Sequence, residues 1–258
     1  AYEQGRDLES IIQEILVVYE NHKDQAPFDL KRFSDFSQMR ERVAMKLIHT
    51  KSNETLLKEI PSIPFHDLSI VFYLFLDKDE HGQMTVLIRN DHLPIWNTDT
   101  SELYKLAIGN TPRLYPPCIR SMASLINDML FVNGTLIQPS FAAVSPNALD
   151  LTDGPIPLSI LTNTSGIFGA SAMLYPGVLK EFSKKIGHDL IILPSSVHEV
   201  LLLPYDSTYS FQEMADMVKD VNEKCVPVEE QLSNQVYYYS SAQDSIFLGG
   251  DSASRILS

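Results

Sequence analysis

Apolar positions recur along this chain in two periods, and the switches between them mark the elements. Leu8, Ile11, Ile12, Ile15, Leu16 and Tyr19 repeat at helical spacing behind Asp7, a residue suited to capping. They predict a helix that ends before Pro27. Phe36, Met39 and Val43 share one face of a shorter helix over Asp35 to Arg42, and Val43 to Ile48 is strand-like. A helical turn or two at Leu57-Lys58-Glu59-Ile60 leads to Asp67-Leu68 and the apolar run Ser69 to Leu76. The charged stretch Asp77 to Gly82 and the return at Met84 to Ile88 complete a β-hairpin. Trp96 is expected to pack the turn before the next helix. Asp99 and Glu102 form a capping box opening a helix from Ser101 to Ile108, which Gly109-Asn110-Thr111-Pro112 is expected to end.

Ile119, Met122, Leu125, Ile126, Met129 and Leu130 read as one stripe of a further helix. From Asn133 to Pro157 the pattern dissolves into a long connection. Leu158 to Leu161 predicts a strand, and Val178, Leu179, Phe182 and Ile186 a helix face stopped at Gly187. Two wholly apolar strands follow, Leu190 to Leu193 and Val200 to Leu203, joined by Pro194-Ser195-Ser196-Val197-His198-Glu199. Runs so apolar belong in the middle of a core. Ser210 and Glu213 make a second capping box, for a helix burying Phe211, Met214, Met217, Val218 and Val221. Val236 to Tyr239 and Ser245 to Leu248 read as a closing hairpin.

The two halves echo each other. Leu57-Lys58-Glu59 precedes Asp67-Leu68 at the same spacing by which Leu179-Lys180-Glu181 precedes Asp189-Leu190. Each Asp-Leu opens an apolar hairpin, and each hairpin is followed by a capping-box helix. The fold class expected is α+β: a largely antiparallel mixed sheet with helices packed on it, in two pseudo-repeated strand-helix-strand-strand-helix halves. The chain reads as one α+β unit over 1–258. Its first half covers 35–117, a helix and connection 118–157, the second half 158–227 and the closing hairpin 235–248.

Charge narrows the partners. The net charge is -13, from 33 acidic against 20 basic residues, and no Lys/Arg cluster is present, which weighs against a nucleic-acid partner. No apolar run approaches a membrane span and no signal segment is visible, so the expected location is cytoplasmic. The chain begins at Ala1 rather than Met, which suggests that an upstream segment was removed. Cys118 and Cys225 lie far apart in sequence without Cys-x-x-Cys spacing; a disulfide or two buried thiols would fit, and free thiols in a reducing compartment are the reading favoured.

Chemistry is sparse. The chain holds no Gly-x-Ser-x-Gly elbow, no phosphate-binding loop and no His-Glu-x-x-His. Gly166-x-x-Gly169 reads as a flexible turn. The sharpest candidates are Ser195, Ser196, His198 and Glu199. Strand alternation would put Ser196 with His198 on one face, where a hydroxyl and an imidazole could act as nucleophile and base. In the other reading they satisfy a hairpin end. His188, His198 and Glu199 lack metal-ligand spacing, and no cofactor is implied. Asn163 and Tyr175, in a segment where the later half outruns the earlier, are candidate ligand-binding residues. The reading favoured is a non-catalytic protein binding a protein or small-molecule partner near the Pro194–Glu199 turn. The alternative is a serine-dependent hydrolase using Ser195 or Ser196 with His198.

The segments Glu59-Ile60-Pro61-x-Ile63-Pro64-Phe65-x-Asp67-Leu68, Asn110-Thr111-Pro112-Arg113-Leu114, Ile119-Arg120-Ser121-Met122, Leu174-Tyr175-Pro176-Gly177-Val178-Leu179 and Leu193-Pro194-Ser195-Ser196-Val197-His198-Glu199-Val200 carry a resemblance. From Leu8 to about Tyr239 the chain resembles a bacterial family known only as a domain of unknown function, common in anaerobic gut bacteria. More distantly it is similar to the uncharacterised YtpQ-like proteins. The resemblance implies a cytoplasmic single unit and offers no catalytic residues to carry over. It also implies a further N-terminal segment in relatives, and Thr135 to Asp153 departs from their acidic, helix-prone connection.

Overall fold

A computed structural model describes residues 35–79, 82–122 and 158–250. The helix expected at Leu8 to Tyr19 and the connection from Asn133 to Pro157 lie outside them. The chain divides into two compact units, Ala1–Arg40 and Glu41–Ser258. In the first, the Asp35 carboxylate accepts from the Ser37 backbone N–H (3.0 Å) and caps helix α1 (Phe36–Met39).

The second unit holds two sheets, and every pairing among the described strands is antiparallel. The first sheet comprises β1 (Val43–His49), β2 (Ser62–Phe65), β3 (Leu68–Asp79) and β4 (Gly82–Leu87). β3 is its centre. β1 runs along one side of it, while β2 and β4 pair in succession with the other. Ile70 to Leu74 are accordingly buried on both faces, which is why this stretch reads as an unbroken apolar run. Short helices α2 (Glu54–Leu57) and α3 (His92–Trp96) flank the sheet, and Trp96 is buried. Helix α4 (Thr100–Leu114) opens on Asp99, whose carboxylate accepts from the Glu102 N–H (2.8 Å).

α4 does not stop at Gly109. It continues through Pro112 to Leu114. An internal proline costs a helix about 3 kcal/mol, and here tertiary bonds offset it. The Met45 N–H donates to Thr111 Oγ1 (3.1 Å), Thr111 Oγ1 donates to the Ala107 carbonyl (2.6 Å), and Asn110 Nδ2 donates to the Val43 carbonyl (3.1 Å). The last turn of α4 thus satisfies backbone groups that β1, an edge strand, would otherwise leave open.

The second sheet has the order β10-β9-β7-β8-β6-β5. Its strands are β5 (Pro117–Ser121), β6 (Ser159–Asn163), β7 (Leu190–Leu193), β8 (Val200–Pro204), β9 (Tyr237–Ser240) and β10 (Ser245–Leu248). Helices α5 (Val178–Ile186) and α6 (Phe211–Cys225) pack on it, and α5 ends at Gly187 with φ 78°, a left-handed turn that glycine adopts freely. Phe211, Met214 and Val218 of α6 cover Ile191, Leu193 and Leu203, whereas Met217 and Val221, expected on the same buried face, are exposed.

The architecture is α+β, with corrections. Leu125 to Leu130 of the helical stripe expected after Ile119 lie outside the described residues, and Ile119 itself lies in strand β5 rather than a helix. Two prolines, Pro116 and Pro117, precede it, and pairing with β6 covers that strand's edge. Two sheets replace the single mixed sheet. The two halves also pair differently. β1 lies beside β3, the first strand of its hairpin, whereas β6 lies beside β8, the second strand of its own. The shared order of elements therefore does not become a shared arrangement of strands.

Candidate functional site

The turn that joins β7 to β8 is not a strand with alternating faces. It lies along the segment 230–233: the Val197 N–H donates to the Glu230 carbonyl (2.9 Å), and the N–H groups of Leu232 and Ser233 donate to the Ser195 and Pro194 carbonyls (3.0 and 2.9 Å). Ser196 is buried, and its hydroxyl oxygen accepts from the His198 backbone N–H (3.0 Å), as a turn serine does. The imidazole is engaged elsewhere. Nδ1 accepts from the Phe168 N–H (3.3 Å), so Nε2 carries the proton and faces Glu230 Oε1 at 3.6 Å. Neither ring nitrogen meets a serine hydroxyl. Burial raises the Glu199 carboxyl above its ordinary range, with His198 pulling against it.

These contacts secure the segment that follows β6. Thr162 Oγ1 donates to the His198 carbonyl (2.8 Å), and the Ala170 N–H donates to the Val197 carbonyl (3.3 Å). Phe168, in the left-handed region at φ 54°, is stacked on the His198 ring at 6.1 Å, and the Lys46 ammonium sits 4.0 Å from its ring centroid. Burial lowers the Lys46 pKa. Asn163 is buried and spends its amide locally: Oδ1 accepts from Ser165 N (2.9 Å) and Gly166 N (3.0 Å), and Nδ2 donates to the Ile167 carbonyl (2.9 Å). The flexible turn expected across Gly166 and Gly169 is instead packed. A Cβ on Gly169 would overlap Thr162 Oγ1 and the His198 carbonyl and lie 2.8 Å from Asn163 N.

From Gly169 a 3₁₀ turn runs to Leu174 and delivers Tyr175 to the start of α5. The Tyr175 hydroxyl lies beside Ser171, Asn163 and Tyr115, so the structure brings the two predicted binding residues together. That hydroxyl is buried. Ser171 and Asn163 lie close enough to act on it as hydrogen-bonding groups, as Tyr73 does on Tyr115, but neither phenol closes a hydrogen bond of good geometry among the described residues. Burial pushes the Tyr175 phenol up to about 12, against smaller opposing contributions from Ser171 and Asn163. Because the folded value exceeds the unfolded value of about 10, its stabilisation is whole below pH 10 and is lost between pH 10 and 12. At about 1.4 kcal/mol per pH unit, the loss is about 3 kcal/mol. Tyr175→Phe also removes an unpaired hydroxyl. It is expected to leave stability at pH 7 unchanged or higher and to flatten the alkaline limb of a urea-denaturation series.

Tyr175 also walls a cleft of about 280 Å³. One side is Met173 to Lys180, the other Phe65 with Tyr239 and Asp244 to Ile246. Its lining mixes apolar and aromatic side chains with polar surface. A single charged pair marks it: Lys180 Nζ donates to Asp244 Oδ2 (3.1 Å), and the Tyr239 hydroxyl donates to Asp244 Oδ1 (2.7 Å). Those two hydrogen bonds hold the Asp244 carboxyl below its ordinary value. Of the residues singled out from sequence only Tyr175 lines this cleft. Asn163, Ser195, Ser196, His198 and Glu199 do not; Asn163 and His198 instead brace the segment that leads to its wall.

The cleft depends on β9, where consecutive tyrosines each grip an aspartate. Tyr237 donates its hydroxyl to Asp67, Tyr238 to Asp189, and Tyr239 to Asp244. Asp67 also accepts from Ser233 Oγ (2.6 Å), and Asp189 from the Ser241 N–H (2.9 Å). Burial and the partner carboxylates raise all three phenols. Burial pushes Asp189 up, but the hydroxyls of Ser241 and Tyr238 hold it below the usual carboxylate value. The Asp-Leu echo thus has a physical basis: the aspartate opening each hairpin is latched to the same closing strand. Sequence reading missed Lys180, Tyr239 and Asp244. The run Tyr237-Tyr238-Tyr239 with Asp244 shortly after it was the available signal.

Among the described residues, no group of three His, Cys, Asp or Glu side chains could hold a metal ion, and no helix is long and apolar enough to cross a membrane. Cys118 and Cys225 are free thiols. The model of a family of unknown function (DUF5688) matches residues 1–241, and the chain belongs to that family. No curated protein and no solved structure matches it.

Proposed function

We propose that this DUF5688 member is a non-catalytic cytoplasmic protein that binds a small molecule in the cleft between the start of α5 and the β9–β10 hairpin. One observation carries the reading. The cleft sets apolar and aromatic side chains, among them Phe65, Met173, Leu174 and Ile246, against one convergent polar group, Lys180 with Asp244 and Tyr239, as small-molecule sites do. At about 280 Å³ it falls near the lower end of such sites, roughly 300–1,000 Å³, and so suits a compact ligand. The Pro194–Glu199 turn enters as support. Through His198 and Val197 it anchors Phe168 and Ala170, and so the 3₁₀ turn that presents Met173, Leu174 and Tyr175.

The competing reading, a hydrolase with Ser195 or Ser196 as nucleophile, needs an imidazole nitrogen free to take the hydroxyl proton. His198 Nδ1 is occupied by the Phe168 N–H, and Ser196 Oγ accepts from a backbone N–H. Ligand-observed NMR with a library of small neutral apolar and aromatic compounds tests the binding reading. Saturable binders are expected, and Ser245→Trp, which places an indole at the mouth of the cleft, should abolish their binding. A fluorophosphonate probe should leave both serines unlabelled. Labelling at Ser195 or Ser196 that is lost in the alanine variant would replace binding with hydrolysis.

A further inference from the structure

The polar groups of the cleft restrict what can occupy it. We infer that the occupant is a free α-amino acid with an apolar side chain, held by its ammonium on Asp244 and its carboxylate on Lys180. This rests on the cleft being a small-molecule site and specifies its ligand.

The argument is one of unused hydrogen-bonding capacity. An ammonium has three donors, and Lys180 commits one to Asp244. A carboxylate has about four acceptor positions, and Asp244 has two filled, by Lys180 and Tyr239. Both side chains are about half exposed, so the pair between them is worth little and yields easily to a third party. A zwitterion meets both remaining needs at once. Its ammonium adds to Asp244 and its carboxylate to Lys180, closing a four-charge ring without leaving a net buried charge. A lone anion would leave Asp244 repelling it, and a lone cation would meet Lys180. At the start of α5 a lone anion would also meet the Glu181 carboxylate, whose Oε1 would lie 3.9 Å from a Cβ on Gly177. Beyond the charged pair, Phe65, Met173, Leu174 and Ile246 supply the apolar part of the wall, which suits a branched aliphatic, thioether or phenyl side chain, while Tyr239 and Ser245 supply polar surface.

Calorimetric titration of the full chain with L-leucine, L-isoleucine, L-methionine and L-phenylalanine tests the assignment. At least one is expected to bind saturably. For the tightest, the amide, which lacks the carboxylate, and the N-acetyl derivative, which lacks the ammonium, should each bind about tenfold more weakly or worse. Lys180→Gln should weaken the amino acid about tenfold and spare its amide. Asp244→Asn should weaken the amino acid and spare the N-acetyl derivative. Asparagine tolerates the left-handed φ of 48° at that position, so the turn is kept. Equal affinity for the amino acid and both derivatives overturns the inference, as does absence of binding by all four amino acids. If the four fail while neutral apolar compounds bind and Ser245→Trp excludes them, the cleft stands and the zwitterion falls. If neither class binds, both readings fall.

Discussion

Asp67→Ala is expected to cost about 2–5 kcal/mol of folding stability, more than any other single side-chain truncation considered. The carboxylate receives the Ser233 and Tyr237 hydroxyls, and both donors are buried, Tyr237 completely. Removing the acceptor strands two buried donors, each worth about 1–3 kcal/mol when left unpaired. Removing the donor instead is gentler, because Asp67 keeps Ser233. Tyr237→Phe should therefore cost roughly half as much, and the double variant less than the sum of the two. Urea denaturation of the four proteins measures this. Strict additivity, or a loss under 1 kcal/mol for Asp67→Ala, would show that the latch does not hold β9 to the first sheet.

Gly169→Ala is expected to destabilise by about 3 kcal/mol, although alanine changes a glycine by one methyl group. The methyl has nowhere to go. It would overlap Thr162 Oγ1 and the His198 carbonyl, and both belong to the bond that joins β6 to the β7–β8 turn. Gly187→Ala supplies the contrast. That position is left-handed but open, with nothing within 4 Å of a new Cβ, and only conformational strain of about 1 kcal/mol applies. A thermal shift for Gly169→Ala no larger than for Gly187→Ala would remove the close-packing argument. Because Gly169 begins the 3₁₀ turn that walls the cleft, Gly169→Ala should also weaken any compound bound there.

Much of the fold was legible because its signals are local. Asp99 and Ser210 cap their helices as their capping boxes announced, and Gly187 ends α5 as a glycine at that place should. The apolar strands β3, β7 and β8 lie where unbroken apolar runs placed them. Errors arose where a distant partner outweighed the local preference. Pro112 reads as a stop, but Met45 and Val43 of β1 hold its turn helical. Ile119 reads as part of a helical stripe, but β6 needs a neighbour at its edge.

The candidate site divides in the same way. Tyr175 was legible as a polar residue in an overlong segment, and it walls the cleft. His198 was legible as unusual, yet its nitrogens are used by Phe168 and Glu230, groups remote in sequence. Lys180 and Asp244 carry no sign of their pairing, since one is a surface residue of α5 and the other a turn residue between β9 and β10.

Among the described residues the sequence by itself marked most of the strands and helix starts, because hydrophobic period and capping are properties of neighbouring residues. It did not settle burial: Met217 and Val221 of α6, expected inside, are exposed. It also displayed the two Asp-Leu starts, though not their purpose. Tertiary structure alone decided the strand order, with β1 beside β3 but β6 beside β8, because antiparallel pairing permits either neighbour and only packing selects one. It alone joined Asp67 and Asp189 to Tyr237 and Tyr238, and with Tyr239 on Asp244 it shaped the cleft. A hydroxyl and a carboxylate far apart in the chain become a latch only when folding removes the water that would otherwise serve them both.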